Sequence, residues 1–236
     1  MERNWRYGMT DREALRAEIR RHVAERRDLM RRALEAGGAE DPEKTVSKGM
    51  PQSLLFMVEL VPFIHRLWGH LPEGSMRTVL DVGPENFAGT ALLARLHAPE
   101  SFNRLKLNVS ALDISDEFAL LGELVAPDVE LLVGDITSVR DRAWDMVIAS
   151  HVVEHVEDPV GFMCGLQELA REFVVIACPW RENPIVTPDH VSTIDKEVVM
   201  AAGARDLTIY TNFSWGKMRE VCMFWLPGQA GGNVRR

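Results

Sequence analysis

The chain has 236 residues, 46% hydrophobic and 26% charged, so it can bury a sizeable core as one domain with an extension. Its formal net charge of −8 argues against a protein that coats nucleic acid, which needs a basic field. No run approaches the ~20 uninterrupted apolar residues of a membrane span, and the charged opening MERNWRYGMTDREALR lacks the apolar heart of a signal peptide.

Residues 10–36 read as a helix. Thr10 followed by Glu13 is a capping-box pattern, the stretch closes at Gly37-Gly38, and Leu15, Ile19, Val23, Met30 and Leu34 recur at roughly helical spacing. It is dense in arginine. A solvated amphipathic helix packed on the domain is the plain reading; contact with an anionic substrate and the surface of a homodimer are the others. AEDPEKTVSKGMPQS reads as a loop or linker. SLLFMVELVPFIHRLWGHL reads as an apolar core or cap helix interrupted near Pro62.

From Arg77 the pattern alternates. Strands are expected at 78–82, 106–113, 129–133, 144–150 and 172–178, with helices starting near Ala88, Glu117 and Pro159 and only a short link at Thr137–Ala143. Such alternation implies a mostly parallel, doubly wound α/β sheet. After a helix at 195–203, the runs at 206–213 and 218–227 flank a short SWGK link and suggest an antiparallel edge hairpin. The organisation expected is an N-terminal helical cap over 1–76, an α/β domain over 77–228 and a loose tail over 229–236. Cys164, Cys178 and Cys222 form no CxxC pair and each sits in an apolar stretch, so all three are expected as reduced core residues of a cytoplasmic protein.

The ligand site of an open α/β sheet lies beyond the carboxyl ends of its strands, at the point where strand order reverses. Asp81, Gly83, Asp113, Asp135 and Ser150 all fall at or just past predicted strand ends. A carboxylate at Asp113 can accept from both hydroxyls of a ribose, and one at Asp135 from an exocyclic amine, with Ile136 against the base. These spacings define a nucleotide-type crevice.

The stretches VLDVG, ALDIS, LLVGDI and WDMVIASHVVEHVEDP resemble the class I S-adenosylmethionine-dependent methyltransferases, in the broad small-molecule branch. The resemblance covers roughly residues 77–180, and the hairpin at 206–227 extends it. It implies a Rossmann-like fold, S-adenosylmethionine as cofactor, and methyl transfer to an oxygen or nitrogen of a small-molecule acceptor. It further implies that Gly83 meets the methionine part through its backbone while Asp81 sets the loop. Asp113 with Ile114 would hold the ribose side, and Asp135 with Ile136 the adenine. No asparagine–proline–proline–tyrosine-like signature follows the fourth strand, which argues against DNA or amide-nitrogen acceptors.

The first loop departs from the family's glycine–x–glycine–x–glycine: it reads Gly83-Pro84-Glu85-Asn86-Phe87-Ala88-Gly89. A pyrophosphate needs close backbone approach, so the departure counts more against NAD than against S-adenosylmethionine. Glu85 either pairs with the cofactor's ammonium or points to solvent. The same departure admits a second reading, a degenerate domain kept as a partner-binding module. His190, in TPDHVST, and His151 are the candidate general bases, since histidine titrates near neutral pH. His151 and His155 form an HxxxH with no clear third ligand, and Glu154 would face elsewhere on a helix, so no metal is assigned. His155 is expected to position the next helix. Trp180, Arg181 and Trp215 could wall the acceptor.

Overall fold

The computed structural model describes residues 9–183, 185, 187–212 and 219–230. A long first helix, α1 (Met9–Gly37), precedes a one-turn helix α2 (Pro42–Lys44), a π turn (Thr45–Gly49) and α3 (Met50–Leu67). The strands are β1 (Met76–Val82), β2 (Lys106–Asp113), β3 (Glu130–Val133), β4 (Trp144–Ser150), β5 (Ala170–Pro179), β6 (Arg205–Asn212) and β7 (Arg219–Pro227). Between them lie α4 (Ala88–Leu96), α5 (Ala119–Val125), α6 (Pro159–Leu169) and α7 (Lys196–Ala201).

The strands form one sheet in the order β3-β2-β1-β4-β5-β7-β6. The first five are parallel, and β7 runs antiparallel to both β5 and β6. This is the Rossmann-like, doubly wound arrangement with an antiparallel edge hairpin; the link between its two strands lies outside the described residues. Strand order reverses between β1 and β4, which opens a crevice at their carboxyl ends.

Period-two alternation divides the side chains between two cores. Val79, Met146, Ile148, Val175 and Ala177 face the core built with α1, α3, α4 and α5. Leu80, Val147, Ala149, Val174 and Ile176 face the one built with α6 and α7. Both faces are covered, so the strands read as nearly continuous apolar runs; fully burying one such side chain is worth ~1.5–3 kcal/mol. Register is pinned by Asp145, whose Oδ2 accepts from Thr78 N–H at 2.8 Å and Thr78 Oγ at 3.0 Å.

Several expectations change. The AEDPEKTVSKG stretch is helical, not a loop: Asp41 Oδ1 accepts from Lys44 N–H at 3.0 Å, and Pro42 occupies the first turn, where it loses no bond. α3 continues through Pro62 without a break. Only one N–H is missing there, opposite the carbonyl of Val58, whose side chain is 53% exposed, so water can take that carbonyl. Cys164 is exposed on α6, whereas Cys178 and Cys222 are buried, paired across β5 and β7 with sulfurs 3.4 Å apart. α1 starts at Met9, so Thr10 lies inside it; the Thr10 side chain is outside the described residues. In the expected tail, Gln229 and Ala230 are tied by backbone bonds to Gln167 and Ala170, and 231–236 are outside the described residues.

α3 is anchored across the fold to the edge hairpin. Glu59 Oε2 accepts from Tyr210 Oη at 2.7 Å and from Asn212 Nδ2 at 2.9 Å. This places the N-terminal end of α3 over the crevice as one of its walls. Among the described residues no helix is long and apolar enough to cross a membrane.

Candidate functional site

The loop between β1 and α4 takes a glycine-like backbone at two positions that are not glycine. Gly83 (φ 67°), Glu85 (φ 52°) and Phe87 (φ 58°) are all left-handed, at alternate positions. That conformation costs a non-glycine residue on the order of 1–3 kcal/mol. Burial offsets it at Phe87, which is 3% exposed and packs against Gly122 of α5. Gly83 cannot be replaced in the same way, because a Cβ there would stand 2.7 Å from Val152 Cγ2. Gly89 serves packing instead: a Cβ would come within 2.9 Å of the Ser53 carbonyl, where α4 crosses α3.

The ends of β1 and β2 and the loop after β1 are acidic. Asp81 is 4% exposed and accepts from Thr90 Oγ at 2.6 Å. Burial pushes it up from the ordinary 3.8 to about 6, with Asp113 adding repulsion. Asp113 is raised by burial, against the pull of N–H bonds from Ser115, Glu85 and Ile114. The Glu85 side chain reaches solvent, yet partial desolvation within the crevice raises it, with Asp113, Asp189 and Glu117 adding repulsion. Carboxylates held this way gain from a cationic ligand and oppose an anionic one.

The segments after β4 and β5 hold the histidines. His151 (φ 58°) follows β4, donates its N–H to the Ala177 carbonyl at 2.7 Å, and stacks on Phe56 of α3 with centroids 3.7 Å apart. Val153–His155 is a 3-10 turn rather than an α-helix, so Glu154 turns inward and is 1% exposed. His155 Nδ1 meets the Asp189 carbonyl at 3.0 Å, and its ring lies edge-on to His190. His190 is 8% exposed, with Nδ1 bonded to Glu182 Oε2. Glu182 Oε1 is held in turn by Arg219 Nη1 at 2.9 Å and Thr187 Oγ at 3.1 Å. Glu154, His155 and His190 each bring one donor atom within 4.8 Å of the others.

Asp81, Gly83, Glu85, Ser150, His151 and His190 all line one crevice of about 960 Å³. That lies within the ~300–1,000 Å³ usual for small-molecule sites. Ser150 Oγ is buried there without a hydrogen-bond partner among the described residues. Asp113, Ile114, Asp135 and Ile136 fall outside its lining. Ile114 is 77% exposed, and Ile136 packs toward Gly165 of α6. Asp135 caps the turn Ile136–Val139, taking Thr137 N–H at 2.8 Å, a bond that lowers its carboxyl.

Trp180 belongs to the core under α6 and α7, with Arg181 stacked on its ring, so the expected aromatic wall is not formed by these two. Trp215 lies outside the described residues. Sequence reasoning missed Phe56, Glu154 and Glu182. Glu182 follows β5 and was within reach of the same strand-end rule that selected Asp113. Phe56 carried no local signal, because only the folding of α3 over the crevice brings it there.

A family model described as a methyltransferase domain matches residues 80–172. No curated protein matches the chain. Among solved structures, the CurJ carbon methyltransferase is similar at 12% identity and a TM-score of 0.58, over 80% of this chain and 58% of that one. This chain therefore spans less than two thirds of that protein. The magnesium protoporphyrin IX methyltransferase of Synechocystis PCC 6803, solved with S-adenosylhomocysteine, is 12% identical with a TM-score of 0.52, over 78% and 86%. A methyltransferase of Aquifex aeolicus is 19% identical with a TM-score of 0.50, over 79% and 94%. At these identities the likeness establishes the fold.

Proposed function

The chain carries a class I S-adenosylmethionine-dependent methyltransferase domain, and from that premise we propose that it methylates an oxygen or nitrogen of a small-molecule acceptor bound in the crevice. Its cofactor is S-adenosylmethionine. The observation that carries the reading is that carboxylates at Asp81 and Glu85 and imidazoles at His151 and His190 line one crevice.

The carboxylates fit the group. S-adenosylmethionine carries a sulfonium and an ammonium but no phosphate, and Asp81, Glu85 and Asp113 are all raised by burial, so a cation beside them would favour their charged forms. When bound, the cofactor supplies an electrophilic methyl carbon for in-line displacement. The chain's part is to orient and to exclude water. The Gly83 backbone and the Glu85 carboxylate would face the amino-acid portion. Asp113 would take ribose hydroxyls with lone pairs left over from its contacts to Glu85 and Ser115. Asp135 and Ile136 would flank the adenine. His190, oriented by Glu182, or else His151, would take the proton of an acceptor hydroxyl.

The test has two steps. Calorimetry with S-adenosylhomocysteine should give one site per chain. Transfer of labelled methyl from S-adenosylmethionine should then be followed across a panel of small hydroxyl and amine compounds. Cofactor binding without transfer to any member would count against the proposed acceptor class.

A further inference from the structure

We propose that Glu154, His155 and His190 form a binding site for a divalent first-row transition-metal cation in the crevice. Their donor atoms lie within 4.8 Å of one another. Donors each ~2.1 Å from one cation stand ~3.0–3.4 Å apart in facial octahedral or tetrahedral geometry, so a pair at the 4.8 Å limit would close by roughly 1.5 Å, within reach of side-chain rotation. Two imidazoles and one carboxylate suit iron, manganese, cobalt or zinc and leave coordination positions open.

Three further observations point the same way. The Glu154 side chain is 2% exposed, and neither carboxylate oxygen has a hydrogen-bond partner among the described residues. His151 Nδ1 comes within 3.4 Å of Oε1 but without hydrogen-bond geometry. Buried carboxylates are ordinarily paired, hydrogen-bonded or bound to a metal. Next, both rings are held at Nδ1 by an oxygen: His155 by the Asp189 carbonyl at 3.0 Å, His190 by the Glu182 carboxylate. Ligating histidines are oriented in this way, with Nε2 turned to the metal. Finally, the two ligand-bearing segments are already clamped together. The Glu154 carbonyl accepts from Val191 N–H at 2.8 Å and Ser192 N–H at 3.0 Å, just past His190.

All three residues line the crevice, so the open positions would face an acceptor's oxygen. That role rests on the methyl-transfer reading; the site itself does not. With a cation bound, His190 serves as ligand rather than base.

The experiment uses the full chain without a histidine tag, stripped with chelator and titrated with Co²⁺. Calorimetry gives affinity, and visible absorption reports ligation. One cation per chain is expected, with at least tenfold weaker binding in Glu154→Gln and His155→Ala. Glu182→Gln, which leaves the three ligands in place and alters the support of His190, should weaken it by about ten- to a hundredfold. His65→Ala, in the separate His65–His97 pair, should leave it unchanged. Independently of any variant, the Co²⁺ form should show two paramagnetically shifted, exchangeable ring N–H resonances. Absence of stoichiometric binding by a wild-type chain that binds S-adenosylhomocysteine overturns the site. So does undiminished affinity in Glu154→Gln and His155→Ala, or a Co²⁺ form without shifted ring resonances. A chain that binds Co²⁺ at these residues but not S-adenosylhomocysteine removes the cofactor reading and leaves the metal site standing.

Discussion

Glu85 donates its backbone N–H to Asp113 Oδ2 at 3.2 Å, tying the loop after β1 to the end of β2. The contact exists because Glu85 is left-handed, as a glycine in that place would readily be. The chain has thus kept the loop's path and added side chains to it. Replacing Glu85 with glycine relieves strain of on the order of 1–3 kcal/mol but frees the unfolded chain by roughly 0.5–1 kcal/mol. Thermal stability should therefore hold or rise slightly. Affinities for S-adenosylmethionine and S-adenosylhomocysteine should fall together, since both carry the ammonium that Glu85 would face. Calorimetry with both ligands checks this; unchanged affinities would detach Glu85 from the ammonium.

The same acidic loop should refuse a dinucleotide. A ligand at 100 times its Kd stabilises the fold by about 2.7 kcal/mol. S-adenosylhomocysteine should raise the melting temperature accordingly, while NAD, NADP and FAD should not. A shift with NAD and none with S-adenosylhomocysteine would reverse the cofactor assignment.

Asp113 supports the loop through the Glu85 N–H, and ribose contact is the second role proposed for it. Asp113→Ala removes an acceptor whose hydrogen bonds are worth roughly 1.5–3 kcal/mol when charged. Cofactor affinity should drop about ten- to a hundredfold. Asp113→Asn, which keeps one oxygen for the Glu85 N–H, should lose less. A folded Asp113→Ala chain with unchanged S-adenosylhomocysteine affinity would exclude the ribose contact.

Asp81 sets stability against binding. Its carboxyl titrates at about 6 in the fold against an ordinary 3.8. Between those values the folded state holds more protons than the unfolded one, so this group's contribution falls as pH rises from about 4 to about 6 and is level above. A shift of about two units corresponds to about 3 kcal/mol. Asp81→Asn, whose amide oxygen can still accept from Thr90, should be more stable than wild type by up to that amount at pH 7.5 and by little at pH 4. Its affinity for the cationic cofactor should fall. In wild type, that affinity should weaken as pH drops through about 6, since protonation removes the negative charge. Matched melting curves at the two pH values test the sign.

Much of the fold was legible because each parallel strand is buried on both faces and reads as a short apolar run. Lys106–Asp113 and Trp144–Ser150 match their expected bounds. The strand-end acids were legible for the same reason: Asp81 and Asp113 interrupt an apolar run at its end. The helical turn before α3 was not, because Gly49 and Pro51 mimic a loop, while Asp41 and Pro42 work as an N-terminal cap. Nor was the inward turn of Glu154. An α-helical reading sends that side chain away from His151 and His155, whereas the 3-10 turn buries it beside His190. Phe56 is brought to the crevice by the seating of α3, which is held by contacts more than a hundred residues apart along the chain, such as Glu59 with Tyr210, which no local pattern encodes.

The His190–Glu182 pair gives the last prediction. Glu182 holds the imidazole at Nδ1, while Arg219 and Thr187 hold Glu182. A ring fixed in this way presents its other edge in a set orientation, whether to an acceptor proton or to a cation. A positioned base contributes typically ~10²–10⁴-fold. His190→Ala should lower the rate of methyl transfer to a hydroxyl acceptor by about that factor, with S-adenosylhomocysteine affinity nearly intact if His190 acts on the acceptor alone. Glu182→Gln should lower kcat less, since glutamine keeps an oxygen that can meet Nδ1–H, and Glu182→Ala should approach the His190→Ala loss. If the acceptor is an amine that binds already deprotonated, both effects should be small. Rates for all three variants, measured with and without chelator, separate the two uses of the ring. A loss that persists equally in chelated enzyme assigns His190 to proton transfer, and one that chelation of the wild type already reproduces assigns it to the metal. A His190→Ala enzyme at full rate with a hydroxyl acceptor would take this residue out of the mechanism and leave His151 as the remaining candidate.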